Sequence, residues 1–96
     1  MNVEIIAPAE AELDDACRYY EAQESGLGTR FRDQFRSTLQ RIVALPHAWR
    51  PVPGGLRNCP LHHFPYGVVY AVEEARIVIV AVAHHHRRPD YWADRY

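Results

Sequence analysis

FPYGVVYAVEEARIVIVAVAH occupies residues 64–84 and contains two apolar runs separated by a short charged stretch. β-Branched and aromatic residues alternate through 64–72 and again through 76–84, a pattern that predicts two strands joined by a turn at 73–75. Both strands are apolar on both faces, which is typical of strands that are buried from two sides. The fold is therefore expected to centre on this pair of strands.

The residues before this pair follow a helical period. Apolar residues recur every three or four positions from Ala9 to about Ser25, and again from Gly28 to Leu45, where Pro46 ends the pattern. We predict two amphipathic helices in an antiparallel hairpin, preceded by a brief strand over residues 2–7.

Residues 46–55 are dense in proline and glycine and are predicted to form a loop. Residues 56–61 predict a short strand, which Pro60 restricts to the edge of a sheet. The predicted fold class is α+β: a strand, a helical hairpin and then a three-stranded, largely antiparallel sheet, with a short C-terminal tail or helix. The 96 residues are enough for one compact domain over 1–96.

One face of this sheet needs a cover other than the helices, because a two-helix hairpin covers only one side. Strict alternation puts three valines of the last strand on one face, namely Val78, Val80 and Val82. Two interpretations are open. The C-terminal aromatic residues Tyr91, Trp92 and Tyr96 fold back over the second face, or the valine face binds a protein partner.

Charge is unevenly distributed along the chain. The formal net charge is −1, all 11 cations are arginine, and seven of the 12 acids lie in residues 1–24. A near-neutral total disfavours tight non-specific binding of RNA or DNA, which needs many phosphate-neutralising cations. No segment has the length of a membrane span or the pattern of a signal peptide, so we expect a cytoplasmic protein with no membrane partner.

A cluster of basic and aromatic residues follows the last strand. Metal-independent RNA cleavage needs a base, an acid and cations around the phosphorane. The candidates for such a catalytic site are Arg57, His84, His86, Arg87 and Tyr91. The same region suits protein binding, because arginine and aromatic side chains carry much of the energy of interfaces. The candidates for target binding are Arg57, Arg87, Arg88, Tyr91 and Trp92.

Arg57 has a further interpretation, an ion pair with Glu4 or Asp33. The six histidines of the chain also suggest a metal site. His84 and His86 would point to one side of a strand, but a fixed site needs three or four ligands, and no cysteine or acid lies at a suitable spacing. We expect no metal and no cofactor. The two cysteines are expected to be reduced and buried.

The chain resembles the RelE/ParE toxin superfamily, most closely its ParE or plasmid-stabilisation branch. The resemblance lies in the order strand, helix, helix, strand, strand, strand, and in the residues that fill it. Five stretches carry it: AEAELDDACRYYEAQ at 9–23, GLGTRFRDQF at 26–35, RIVALP at 41–46, GLRNCPLHHFPYGVVYAV at 55–72 and IVIVAVAHHHRRPDYWADR at 77–95.

This resemblance implies the toxin of a type II toxin-antitoxin pair, held inactive in a hetero-oligomer by a cognate, ParD-like antitoxin. It implies DNA gyrase as the target if the chain acts as the ParE branch does, by protein binding and without catalysis of its own. The alternative is a ribosome-dependent mRNA endoribonuclease of RelE type, whose catalytic residues occupy similar places on the last strand and the central basic strand. A third possibility is a member that only binds the antitoxin.

Overall fold

A helical hairpin lies against one face of a five-stranded sheet in the computed structural model of the chain, which describes residues 1–88 and 90–96. The elements in chain order are β1 (Asn2–Ile5), α1 (Ala7–Gln23), α2 (Leu27–Ala44), β2 (Arg50–Val52), β3 (Leu56–Pro60), β4 (Tyr66–Val72), β5 (Arg76–His84) and a C-terminal 3-10 helix (Ala93–Arg95). The predicted α+β class and the helical hairpin are confirmed. None of the helices in the described ranges is long and apolar enough to cross a membrane.

The sheet has more strands than the sequence pattern predicts. Its order is β1-β5-β4-β3-β2, with β1 parallel to β5 and the other neighbours antiparallel. The additional strand β2 lies inside the stretch predicted to be a loop. It makes β3 an internal strand, so the prediction of an edge strand at residues 56–61 is wrong. β2 pairs with β3 across a turn in which Gly54 and Gly55 have φ angles of 92° and 73°. Pro51 is tolerated there because β2 is an edge strand.

The hairpin turn depends on two glycines. Gly26 has a φ of 88°, which glycine adopts without steric cost. The carboxylate of Glu21 accepts hydrogen bonds from the backbone N–H groups of Gly26 (3.0 Å) and Gly28 (3.0 Å), and it thereby caps the start of α2. A side chain at Gly28 would place its Cβ 2.5 Å from the backbone oxygen of Cys17 on α1. Gly28 therefore sets the close approach of the two helices.

We expect Gly28→Ala to destabilise the fold by about 2 kcal/mol, as overpacking in a close-packed region does. Helix propensity alone would make the same change stabilising by about 1 kcal/mol, so the sign of the effect reports the contact with Cys17. Urea unfolding measures it. Thr29→Ala, at the neighbouring exposed position, is the control. A Gly28→Ala variant as stable as the parent would contradict the proposed close approach.

The main core lies between the hairpin and the sheet. Apolar residues recur along both helices and meet the strands that the sequence pattern identifies. The buried members include Leu13, Cys17, Phe31, Phe35, Ile42, Cys59, Val68, Tyr70, Ile77, Ile79 and Val82. Cys17 and Cys59 are both buried and free, as predicted.

The predicted valine face is wrong, because β5 does not alternate strictly. Val69 of β4 pairs with Ala81 and the next residue, Tyr70, pairs with Ile79, so Val80 is an extra residue in a β-bulge. The bulge reverses the alternation beyond it. Val78 and Val80 consequently face away from the helices, whereas Val82 packs into the helix-side core. All three are at most 2% exposed.

The second face of the sheet is covered by the C-terminal segment, which confirms one of the two open interpretations. Trp92 is 6% exposed and packs with Leu56, Val69 and Val80, with Tyr91 at the border of this cluster. Tyr96 does not contribute to the cover. Its side chain is exposed and its hydroxyl donates a hydrogen bond to Glu73. Val78 and Val80 are therefore not a free surface for a partner.

Candidate functional site

Within the described residues, the C-terminal half of β5 has no neighbouring strand on the side where β1 pairs with its first half. Side chains bind the backbone of β5 there instead. β1 pairs with β5 only as far as Ile79. Beyond that point the Val82 N–H donates to Glu12 Oε1 (3.0 Å), and the Val80 carbonyl accepts from Arg95 Nη1 (3.2 Å). Glu12 comes from α1 and Arg95 from the C-terminal 3-10 helix. The backbone groups of β5 at this edge are thus satisfied by residues from both ends of the chain.

Glu12, Tyr91 and Arg95 form one network, called here the C-terminal clamp. The two terminal guanidinium nitrogens of Arg95, Nη1 and Nη2, donate to the Glu12 carboxylate at 2.8 and 3.1 Å, and the Tyr91 hydroxyl donates to Glu12 Oε2 at 2.6 Å. The Glu12 and Arg95 side chains are only 16% and 20% exposed. This bidentate, charge-assisted geometry fixes the C-terminal segment against α1.

The clamp keeps the Tyr91 phenol in its neutral form. Burial and then the hydrogen bond to Glu12 raise the pKa of Tyr91. The hydrogen bond to Glu12 likewise raises the pKa of Arg95. The Tyr91 ring also lies under the guanidinium of Arg87, with 4.2 Å between the guanidinium carbon and the ring centroid. Tyr91 therefore positions the exposed side chain of Arg87. The hydroxyl proton of Tyr91 is held in the hydrogen bond to Glu12.

His84 lies at the end of β5, with its ring 5.0 Å from Tyr66 and 5.2 Å from His86. Burial, followed by the neighbouring histidines, lowers the pKa of His84. Its Nδ1 accepts a hydrogen bond from the His86 backbone N–H at 3.0 Å. We assign the proton of the neutral ring to Nε2, since Nδ1 is an acceptor in this bond. A general base accepts a proton on a free lone pair. The Nδ1 lone pair of His84 is already engaged in the hydrogen bond from the His86 N–H.

Arg57 is separated from the other candidate residues. On β3 it faces the same side as Cys59, towards the helix-side core, and Nη1 donates to the Trp49 carbonyl at 2.8 Å. The proposed ion pair with Glu4 or Asp33 is wrong. Glu4 pairs with Arg76, and Asp33 pairs with Arg36.

A cleft of about 520 Å³ opens on the second face of the sheet, beyond the end of β5. Its polar lining includes Arg50, His84, His85 and Arg87, and Trp49 and Trp92 also line it. We call it the second-face cleft. The structure thus brings together three of the candidate residues, His84, Arg87 and Trp92, and leaves Arg57 outside this group.

Sequence reasoning missed Glu12, Trp49 and Arg50. Trp49 and Arg50 lie in the stretch predicted to be a loop, and Glu12 is one acid among several at the start of α1. Arg88 and His86 are exposed. Over residues 1–88 and 90–96, no group of three or more histidine, cysteine or acidic residues is placed to hold a metal ion.

The fold has a clear counterpart among solved structures. A chain described as "Chromosomal ParDE TA system from P. aeruginosa" matches with a TM-score of 0.73 and 23% sequence identity, over 88% of this chain and 95% of that chain. At this identity the match shows the fold alone, that of a small α+β protein.

A comparison with protein families identifies the family of the chain. The family described as "ParE toxin of type II toxin-antitoxin system, parDE" matches residues 3–89. The chain therefore belongs to the ParE toxin family. A search of curated proteins found no match.

Proposed function

We propose that the chain is a toxin that binds DNA gyrase, acts without catalysis of its own, and is neutralised by a cognate ParD-like antitoxin in a hetero-oligomer. Membership of the ParE family supports the general role. The C-terminal clamp supports the mode of action. It orders an arginine- and aromatic-rich segment in which Arg87 lies over the ring of Tyr91 and Arg88 is exposed beside them. Ordered arginine and aromatic side chains are typical anchors of protein interfaces.

The geometry of the histidines also favours binding over catalysis. A ribonuclease of RelE type would use His84 or His86 with Arg57 and Tyr91. In the structure, Arg57 pairs with Tyr70 towards the end of β4, whereas His84 pairs with Tyr66 at the start of that strand, so the two side chains are apart along the sheet. The Tyr91 proton is on its bond to Glu12. The basic lining of the second-face cleft is the observation that favours the ribonuclease, because it includes both His84 and Arg87.

Assays with purified protein and in cells distinguish inhibition of DNA gyrase from cleavage of mRNA. We expect the chain to inhibit supercoiling by DNA gyrase in vitro, and its induction in cells to activate the DNA-damage response before translation stops. Cleavage of mRNA in a translating extract, with no effect on gyrase, would contradict the proposal in favour of the ribonuclease.

We expect His84→Gln to leave toxicity within about threefold of the parent, measured as growth arrest after induction. Loss of a general acid or base would instead lower the rate by about 10² to 10⁴. His47→Gln, an exposed histidine in the loop after α2, is the matched control. Complete loss of toxicity in His84→Gln, with folding and antitoxin binding intact, would indicate catalysis.

A further inference from the structure

The second-face cleft has a distinctive charge and hydrogen-bonding character. Of the described residues that line it, none is acidic, whereas Arg50 and Arg87 are cationic and two histidines, His84 and His85, also line it. Arginine offers only donors, in a planar fork that matches a carboxylate or a phosphate. A cavity of about 520 Å³ holds one or two side chains of a partner. The cleft is therefore built for a small, acceptor-rich anion.

A buried donor in the wall points to the same kind of ligand. Trp92 is 6% exposed, and its indole Nε1 has no hydrogen-bond partner among the described residues. An indole can only donate, and a buried N–H without an acceptor is unfavourable. The Nε1 atom has less than 1 Å² of accessible surface, so an oxygen ligand in the cleft supplies the missing acceptor only when the indole ring turns towards it.

We propose that the second-face cleft binds the carboxylate of a glutamate or aspartate side chain from a protein partner. This inference rests on the proposed function, in that the chain acts by binding proteins. The carboxylate oxygens accept hydrogen bonds from Arg50 and Arg87, and the methylene groups of the side chain pack between the rings of Trp49 and Trp92. Trp92 Nε1 turns towards the bound oxygen.

The charges around the cleft favour a carboxylate over a nucleic-acid phosphate. Binding of a nucleic acid requires several phosphates to be neutralised along a strand. Among the described residues, the cleft lining has two arginines, Arg50 and Arg87. Arg57 donates to the Trp49 carbonyl on the helix side, and Arg95 is neutralised by Glu12. The formal net charge of −1 is also unfavourable for a polyanion. The charge and the hydrogen-bond donors of Arg50 and Arg87 match a single carboxylate.

The two tryptophans of the chain make this proposal easy to test, because both line the cleft. The probe is hexaglutamate blocked at both ends, with blocked hexaglutamine as the uncharged control and hexauridylate as the phosphate control. Binding is followed by the two indole N–H signals in proton-nitrogen NMR spectra. Trp49 Nε1 donates to the Arg41 carbonyl at 3.5 Å, so its signal serves as the internal reference.

We expect hexaglutamate to move the Trp92 indole proton downfield in a saturable manner, more than it moves that of Trp49, and hexaglutamine to have no such effect. Arg50→Gln should raise the dissociation constant roughly fivefold, since it removes one partly exposed charge-assisted contact. Arg36→Gln, an arginine of α2 paired with Asp33 and 68% exposed, is the matched control and should bind as the parent does.

Three results would overturn the proposal: no response of Trp92 to hexaglutamate, an equal response to hexaglutamine, or tighter binding of hexauridylate. The last result would assign the cleft to RNA. Failure of the proposed function is distinguishable, because a chain that does not inhibit gyrase can still bind the glutamate probe at Trp92.

Discussion

Replacing Glu12 by alanine is expected to lower the free energy of unfolding by about 3 kcal/mol, since it removes one partner of a largely buried ion pair. The single carboxylate accepts hydrogen bonds from the Val82 N–H, the Tyr91 hydroxyl and Arg95. Its removal leaves the Val82 N–H and the Tyr91 hydroxyl without this acceptor, and leaves the Arg95 cation unpaired with only the Val80 carbonyl as a partner. The Glu12 and Arg95 side chains are at most 20% exposed. Chemical unfolding in urea measures the loss.

Two further variants separate the causes of this loss. Glu12→Gln retains an acceptor oxygen but not the charge, so we expect about half of the effect of alanine. Asp15→Ala removes another ion pair of α1, that with Arg18, in which both side chains are 72% exposed, and should change stability by less than about 0.5 kcal/mol. If Glu12→Ala is no more destabilising than Asp15→Ala, the C-terminal clamp does not stabilise the fold.

Raising the pH from about 10 to about 12 is expected to lower the free energy of unfolding by roughly 2 kcal/mol. Tyr70 is fully buried and its hydroxyl donates to the Pro46 carbonyl at 2.6 Å. Burial raises the pKa of Tyr70 to about 12. In the unfolded chain the phenol ionises near pH 10, so stability is fully present below that pH and is lost as the pH rises towards 12. The raised pKa of Tyr91 acts in the same direction.

Urea unfolding at a series of pH values tests this dependence. Tyr70→Phe loses the hydrogen bond to Pro46, at a cost of about 1 kcal/mol, but should flatten the loss of stability above pH 10. Tyr19→Phe, whose ring is 58% exposed, is the control and should keep the parent's pH profile. An unchanged profile in Tyr70→Phe would contradict the assignment.

Local periodicity predicted the parts of the fold that local contacts determine. The helical period of 9–25 and 28–45 gave both helices to within a few residues, and the alternation in 64–72 and 76–84 located β4 and β5. β2 was missed because proline and glycine dominate its surroundings, and only the pairing of Arg50 with Asn58 across the turn shows it as a strand. The bulge at Val80 was missed because a pairing register is set by the neighbouring strand.

The candidate site was predictable only where its residues are neighbours in sequence. His84, Arg87 and Trp92 meet because they follow one strand. Arg57 was grouped with them, but the side of the sheet that it faces follows from the parity of β3, in which Leu56 packs on the second face and Cys59 on the helix side. Glu12 lies 83 residues before Arg95, and no local pattern predicts such a contact.

The separation between Glu12 and Arg95 has a consequence for protein synthesis. β1 acquires its neighbour only when Arg76 to Ile79 are available, and the clamp needs Arg95. While Arg95 is still inside the ribosome, the Val82 N–H and the Val80 carbonyl at the free edge of β5 have no Glu12-Arg95 closure. This part of the fold is thus completed only after Arg95 has left the ribosome, at a rate set by contacts between residues that are 83 positions apart.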